Sequence, residues 1–241
     1  MKNSHPFHQK VVVGPFQCNC HLIVCSQTGH GVLIDTGDDA EAILDLIKKV
    51  EAQRPHDATW SKVQIKKLIH THAHLDHIGA TRKVKEGLIE QAGEPGASVA
   101  PKIVLHKADL DLYQKLPFQG QMFNLQYDAP LPVDQYIEHE ERIEVGELKF
   151  DVIHTPGHSP GGVCLRLKQD SSRNLAESIF SGDTLFQGSI GRTDLWGGDH
   201  GTLIHTIKDR LLTLDGDIRV CPGHGPDTSI GVEKTTNPFF V

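Results

Sequence analysis

No stretch of this 241-residue chain is apolar enough to span a membrane, which takes ~18 consecutive residues, so no membrane partner is expected. The opening Met1-Lys2-Asn3-Ser4-His5-Pro6 lacks the basic-then-apolar order of a secretory leader. Cysteine is scarce. Its five residues, an odd number without framework spacing, argue against a disulfide-built scaffold and for a reducing, cytoplasmic setting. Positive charge is short as well: 24 Lys and Arg face 31 Asp and Glu, a net charge of −7. The phosphate footprint of a nucleic-acid-binding protein is therefore not expected. There is no repeat of roughly 20 to 50 residues and no linker, so residues 1–241 read as a single domain.

What is present fits a globular protein with a sizeable core: 38% hydrophobic residues and 23 glycines. The chain also holds 16 histidines, three of them in Thr71-His72-Ala73-His74-Leu75-Asp76-His77, the pattern H-x-H-x-D-H. Imidazole with carboxylate suits zinc, iron or manganese, whereas calcium and magnesium prefer all-oxygen shells. Alternation puts His72 and His74 on one face of an extended segment, and Asp76 and His77 continue around the next turn. One loop could thus offer two pairs of ligands to two neighbouring ions. The competing explanation is a histidine-rich polar loop with no ligand role.

Short β-type runs at 10–16, 21–25 and 31–35 come first, the third ending in the turn Asp35-Thr36-Gly37. Ala42, Ile43, Leu46, Ile47 and Val50 recur at helical spacing, with Asp38 or Asp39 as N-cap. A buried strand over 63–69 delivers the chain into the histidine cluster, and a helix is expected from Asp76 through Val84 towards Gln91. A strand at 103–106 and a helix at 108–115 follow, and 117–132, with little periodicity, reads as a loop or flap. Strands are expected at 142–145, 148–153, 163–167, 178–181 and 218–221, with an amphipathic helix over 202–212. This order implies an α/β layered domain, sheets inside and helices outside.

Three of the later strands end in a Gly/Pro-rich turn carrying a ligand-type residue: Thr155-Pro156-Gly157-His158-Ser159-Pro160, Ser181-Gly182-Asp183-Thr184, and Pro222-Gly223-His224-Gly225-Pro226. Turns at strand ends are where a rigid sheet presents functional groups. A single His or Asp in a glycine turn is more often structural. Together with the H-x-H-x-D-H loop, however, these supply seven residues, about what two adjacent metals need.

This ordered set resembles the metal motifs of the metallo-β-lactamase superfamily, and the resemblance runs from Gly31-Val32-Leu33-Ile34-Asp35-Thr36-Gly37 to the final Gly-His-Gly-Pro. It implies an αββα sandwich of two mixed β-sheets flanked by helices. It also implies one metal site from His72, His74 and His158, a second from Asp76, His77 and His224, and Asp183 bridging two divalent ions. Zinc is the first expectation, with iron and manganese as alternatives.

Gly14-Pro15-Phe16-Gln17-Cys18-Asn19-Cys20, Gly188-Ser189-Ile190-Gly191-Arg192-Thr193-Asp194 and the segment from Gly223 to Phe239 are similar to short, single-domain members of the glyoxalase II-like branch, the hydroxyacylglutathione hydrolases. That likeness implies a thioesterase acting on S-acylglutathione-type thioesters through a metal-bound hydroxide, with Asp76 orienting the nucleophile or accepting its proton. Glyoxalase II proper carries a helical C-terminal region that supplies much of its glutathione site, whereas this chain ends about 17 residues after His224.

Asp35 is expected either to orient a ligand imidazole or to form a turn; Arg192 and Asp194 either to pair across the loop after Asp183 or to leave Arg192 facing an anionic substrate. His70 and His154 are expected as core or supporting residues, and Cys18, Cys20 and Cys221 as small buried ones. Glu138, Glu140, Glu141 and Glu144 read as a solvated face. The rival enzyme on this fold is a persulfide dioxygenase with one Fe(II) held by His72, His158 and Asp183. β-Lactamase, lactonase and nuclease activities rank below it. The non-enzymatic rival is a metal-binding module that keeps the fold without catalysis.

Overall fold

A computed structural model describes residues 7–54, 58–92, 100–168 and 177–241. The opening hexapeptide, read above for a leader, lies outside them. The chain forms two six-stranded sheets packed face to face. In the first, β1 (Phe7–Val13), β2 (Cys18–Val24), β3 (His30–Ile34), β4 (Gln64–Ile69), β5 (Lys102–His106) and β6 (Gln135–Ile137) lie side by side in chain order. The first two pairings are antiparallel and the last three parallel. The second sheet runs in the order β14 (Thr228–Ser229), β13 (Arg219–Pro222), β10 (Ser178–Gly182), β9 (Val163–Leu167), β8 (Leu148–His154), β7 (Arg142–Val145). Only its β10–β13 pairing is parallel. A hairpin of β11 (Leu185–Phe186) and β12 (Ser189–Ile190) stands apart.

Strand alternation explains the layering. Ile23, Val32, Ile34, Ile69 and Val104 point inward to meet Phe150, Val152, Leu165 and Phe180 of the opposite sheet. Their alternates Leu22, Val24, Leu33, Leu68 and Ile103 face the helices outside, packing with Ile43, Ile47 and Val50. Such two-sided burial is why β2 and β3 read as nearly continuous apolar runs. Beyond the second sheet, Ile179 and Val220 meet Leu203, Ile207 and Leu211. The result is the expected αββα sandwich of two mixed sheets flanked by helices.

Helix α1 (Ala40–Ala52) is capped by Asp39, which accepts the Ala42 N–H at 3.0 Å. Asp38 accepts the Tyr127 hydroxyl at 2.8 Å instead. The helix expected from Asp76 to Gln91 is two: α2 (Leu75–Ile78) and α3 (Thr81–Ala92). The break has a cause outside the helix, because Ala80 N–H leaves the ladder for the Gly37 carbonyl at 2.7 Å. Helix α4 (Leu110–Gln114) fills most of the span expected at 108–115.

The segment 117–132, expected as loop, begins as helix α5 (Leu116–Met122). Pro117 sits in its first turn, where no amide is needed. Only Leu116, Gln119 and Gly120 of it are buried, so no apolar stripe announces it. The helix expected over 202–212 is α6 (His200–Thr206), continued by a π-helical turn, Ile207–Leu211. A last helix, α7 (Ile230–Thr236), had no periodic signal, having only Ile230 and Glu233 buried.

Candidate metal centre

Four strand-end segments converge at one end of the sandwich. Strand β4 delivers the loop carrying His72 and His74, and α2 continues it with Asp76 and His77. The turn between β8 and β9 carries His158, and its exit is tied to the first loop where Val163 N–H donates to the Thr71 carbonyl at 2.8 Å. Asp183 follows β10, and His224 follows β13, the parallel neighbour of β10. Gly223 is required at that last turn. A β-carbon there would lie 2.4 Å from Asp183 Oδ1 and 2.6 Å from His77 Cε1.

All seven residues expected at the site come together, in three overlapping groups able to hold a metal ion: His72, His74 and His158; His72, His77 and Asp183; Asp76, His77 and His224. His158 Nε2 lies 2.8 Å from His74 Nδ1 and 3.1 Å from His72 Nε2. His77 Nε2 lies 3.2 Å from His224 Nε2. Asp183 stands between the two sets, Oδ1 being 3.3 Å from His77 Nε2 and Oδ2 3.6 Å from both His158 Nε2 and His224 Nε2. Asp76 Oδ2 is 3.1 Å from His224 Nε2.

The outer ring nitrogens show what the inner ones are. His158 Nδ1 donates to the Arg192 carbonyl at 2.7 Å and His224 Nδ1 to the Gln17 carbonyl at 3.2 Å. His77 Nδ1 donates to Asp35 Oδ2 at 3.0 Å. Thr71 gives its hydroxyl proton to Asp35 at 2.7 Å, so its oxygen accepts from His72 Nδ1 at 3.1 Å. A neutral imidazole has one N–H, and four of the five spend it outward. With these four rings neutral, their Nε2 lone pairs face one another, and the raised pKa values of His77 and His224 mark that side as one that takes up positive charge. Asp183 Oδ1 is buried without a hydrogen-bond partner. Convergent lone pairs beside an unpartnered carboxylate oxygen fit a cation and little else.

Charge agrees with this. Burial first, then the neighbouring imidazoles, hold His72 well below the ordinary histidine pKa and bring His74 down to about 3. Burial would lower His77 too, yet Cys18 and the carboxylates of Asp183, Asp35 and Asp76 outweigh it and raise His77 well above the ordinary value. Burial likewise opposes ionisation of Asp76 and Asp183, and the histidines, His77 foremost, overcome it and lower both. Positive charge is favoured on the Asp76–His77–His224 side and disfavoured as protons on His72 and His74.

Two buried groups hold the loops, and sequence reasoning missed both. Asp109 takes the Ala73 N–H at 3.0 Å and the Ser159 hydroxyl at 2.8 Å on Oδ2, with the Gly161 N–H on Oδ1. It thereby joins the His72–His74 loop to the His158 turn. Gln119 of α5 takes the Leu75 N–H and donates to the Ala73 carbonyl, both at 3.0 Å. Neither lies in a ligand-like motif, and only the tertiary fold brings them to the loops. Asp35 is 1% exposed and has φ 56°, a left-handed turn residue that also carries imidazoles.

Arg192 forks onto Asp194 at 2.7 and 2.8 Å on the surface, and its carbonyl rather than its side chain reaches His158. His70 and His154 stay outside the cluster. His70 Nε2 meets Thr81 Oγ1 at 3.2 Å, and His154 Nε2 donates to the Pro160 carbonyl at 2.9 Å.

A family model described as the metallo-beta-lactamase superfamily matches residues 13–224. The hydroxyacylglutathione hydrolase GloC of Haemophilus influenzae is 35% identical over 232 residues, covering 95% of this chain and 96% of that protein. Among solved structures, the BLEG-1 B3 metallo-beta-lactamase superposes with a TM-score of 0.79 at 31% identity, covering 98% of this chain and 100% of that one. TTHA1623, solved in a di-iron-bound form, gives 0.75 at 36% identity, covering 96% and 99%.

Proposed function

The chain belongs to the metallo-beta-lactamase superfamily, and on that premise we propose that it is a metal-dependent hydrolase of S-acylglutathione-type thioesters. The observation that carries the reading is the inward convergence of four Nε2 lone pairs around Asp183. His72 Nε2, His74 Nδ1 and His158 Nε2 would hold one divalent ion, and Asp76, His77 and His224 a second, with Asp183 shared between them. Zinc fits the donor set, and the di-iron form of TTHA1623 supports iron equally. Ions bound there supply a water of lowered pKa and polarise a carbonyl.

The reaction breaks the C–S bond of the thioester and joins water's oxygen to the acyl carbon. One hydrogen of the water goes to the thiol sulfur, so the products are an acid and a thiol. Asp76 is kept ionised by His77 and His224 and is 18% exposed at its side chain, so its carboxylate can accept a hydrogen bond from the attacking water and orient it. The name of the Haemophilus relative supports the thioester substrate. A one-iron dioxygenase would need only two imidazoles and a carboxylate, leaving Asp76 and His224, 3.1 Å apart at the same centre, without a role. The five cysteines, free and buried, support the reducing cytoplasmic setting. Among the described residues no helix is long and apolar enough to cross a membrane.

The test pairs elemental analysis of freshly purified protein with S-lactoylglutathione turnover. About two metals per chain and thiol release are expected. Oxygen uptake with glutathione persulfide, without thioester hydrolysis, would establish the dioxygenase instead. Two bound metals with neither activity, nor any on lactones, would leave a non-catalytic module.

A further inference from the structure

A concavity is built on the turn that carries His158, with Pro160 in its wall. It has a volume of about 470 Å³ and is walled by Leu112, Phe118, Pro160 and Trp196. We propose that it receives the acyl group of the substrate and that this group is apolar, a hydrocarbon chain or ring. The proposal rests on the thioesterase reading and narrows its substrate class.

Three of these four walls are anchored to the backbone of the candidate centre. Pro160 stands two residues beyond His158 in the same turn. Trp196 follows the loop whose Arg192 carbonyl holds His158 Nδ1 at 2.7 Å. Phe118 precedes Gln119, which holds Ala73 and Leu75 of the histidine loop. The cavity and the candidate centre are therefore built from the same segments.

Composition decides what the cavity takes. Its size falls within the few hundred cubic ångströms usual for a small-molecule pocket. The charges at its rim are already spent, because Lys115 pairs with Asp111 at 2.6 Å. The other lining residues carry no charge. Phe118 and Trp196 face each other with ring centroids 5.9 Å apart, yet remain 53% and 42% exposed. Large aromatics left open beside a reaction centre gain by covering apolar ligand surface. The backbone is shaped for the contact too. Gly197, at φ 75°, lies so close to Pro160 that a β-carbon would sit 2.5 Å from its ring.

The test uses metal-loaded protein and two readouts. Glutathione thioesters of acetyl, hexanoyl and phenylacetyl groups are compared for kcat/KM. A rise of about 10-fold from acetyl to the larger groups is expected, the scale of a few methylenes in an apolar pocket. Phe118→Ala and Trp196→Ala should each cut the hexanoyl-to-acetyl ratio about 5-fold or more. Separately, Trp196 emission is titrated with the thioethers S-hexylglutathione and S-methylglutathione. Trp60 is only 8% exposed, so the response should come from Trp196 and vanish in Trp196→Phe. A saturable blue shift is expected with the hexyl compound alone. A flat acyl series, or a preference untouched by both alanine variants, overturns the pocket while leaving the hydrolase standing. No turnover of any thioester overturns the thioesterase reading and the acyl assignment together.

Discussion

Asp35 and His77 meet at 3.0 Å, carboxylate Oδ2 to imidazole Nδ1, with both side chains at most 2% exposed. The same carboxylate receives the Thr71 amide at 2.8 Å and the Thr71 hydroxyl at 2.7 Å, and that hydroxyl oxygen takes His72 Nδ1. One buried acid thus fixes the tautomers of two imidazoles, one from each proposed metal site. Its left-handed φ of 56° lets a residue following β3 turn its side chain back under the loop.

Replacing Asp35 with Asn is therefore expected to weaken metal binding while sparing the fold. Asn tolerates the left-handed backbone but offers one acceptor where Asp offers two. Loss of such an outer partner costs about 10- to 100-fold in metal affinity or activity. Metal retained against a competing chelator is the measurement, with circular dichroism to show an intact sandwich. Unchanged retention would remove Asp35 from the site.

The residues that gather at the candidate centre and the layers were legible from sequence. Ligand types are chemically conspicuous in His72, His74, Asp76 and His77, and strands buried on both faces, as β2 and nearly all of β3 are, read as apolar runs. What stayed hidden depends on contacts between distant segments. Asp109 lies 36 residues from Ala73 and 50 from Ser159, and nothing local distinguishes it from an ordinary acid near a helix start. Helix α5 was invisible because Phe118 and Met122 are exposed, which breaks the apolar period. The split between α2 and α3 required knowing that Gly37 would claim the Ala80 amide.

Asp109→Ala should loosen the His158 turn against the His72–His74 loop. It strips three donors of their acceptor, and a buried unmet donor costs about 1–3 kcal/mol. A stability loss on the order of 3 kcal/mol is expected in urea titration. Asp109→Asn, which keeps the shape and one acceptor, should lose less. Metal affinity should fall first at the His72, His74 and His158 group, readable from the ligand-field spectrum of the cobalt-loaded protein. Equal weakening of both sites would mean that Asp109 supports the fold generally.

Gly223→Ala tests the other side. The new methyl would have to occupy space 2.4 Å from Asp183 Oδ1 and 2.6 Å from His77 Cε1, so these groups must move apart. The expected outcome is loss of the ion held by Asp76, His77 and His224 with the His72–His74–His158 ion retained, about one metal per chain by elemental analysis. Retention of two metals with wild-type turnover would show that the turn gives way without cost.

Acid should unfold the protein through buried histidines outside the ligand set. Burial, aided for His8 by the neighbouring His21, brings His8 to about 3 and His21 to about 4, and the two rings pack on Phe180 with His8 Nε2 3.1 Å from His21 Nδ1. Both lie below the unfolded value of about 6.5, so the unfolded chain takes up protons first and stability rises with pH. Their neutral forms stabilise fully above pH ~6.5, and that contribution is lost as pH falls through 6.5 towards 4. A histidine displaced from 6.5 to about 4, as His21 is, represents on the order of 3 kcal/mol over that window. Urea unfolding of metal-loaded protein at pH 7.5 and pH ~5 measures the drop. His21→Gln, which does not titrate there, should shrink the drop by roughly 2 kcal/mol. A variant with the wild-type pH slope would show that His21 is already protonated in the folded protein.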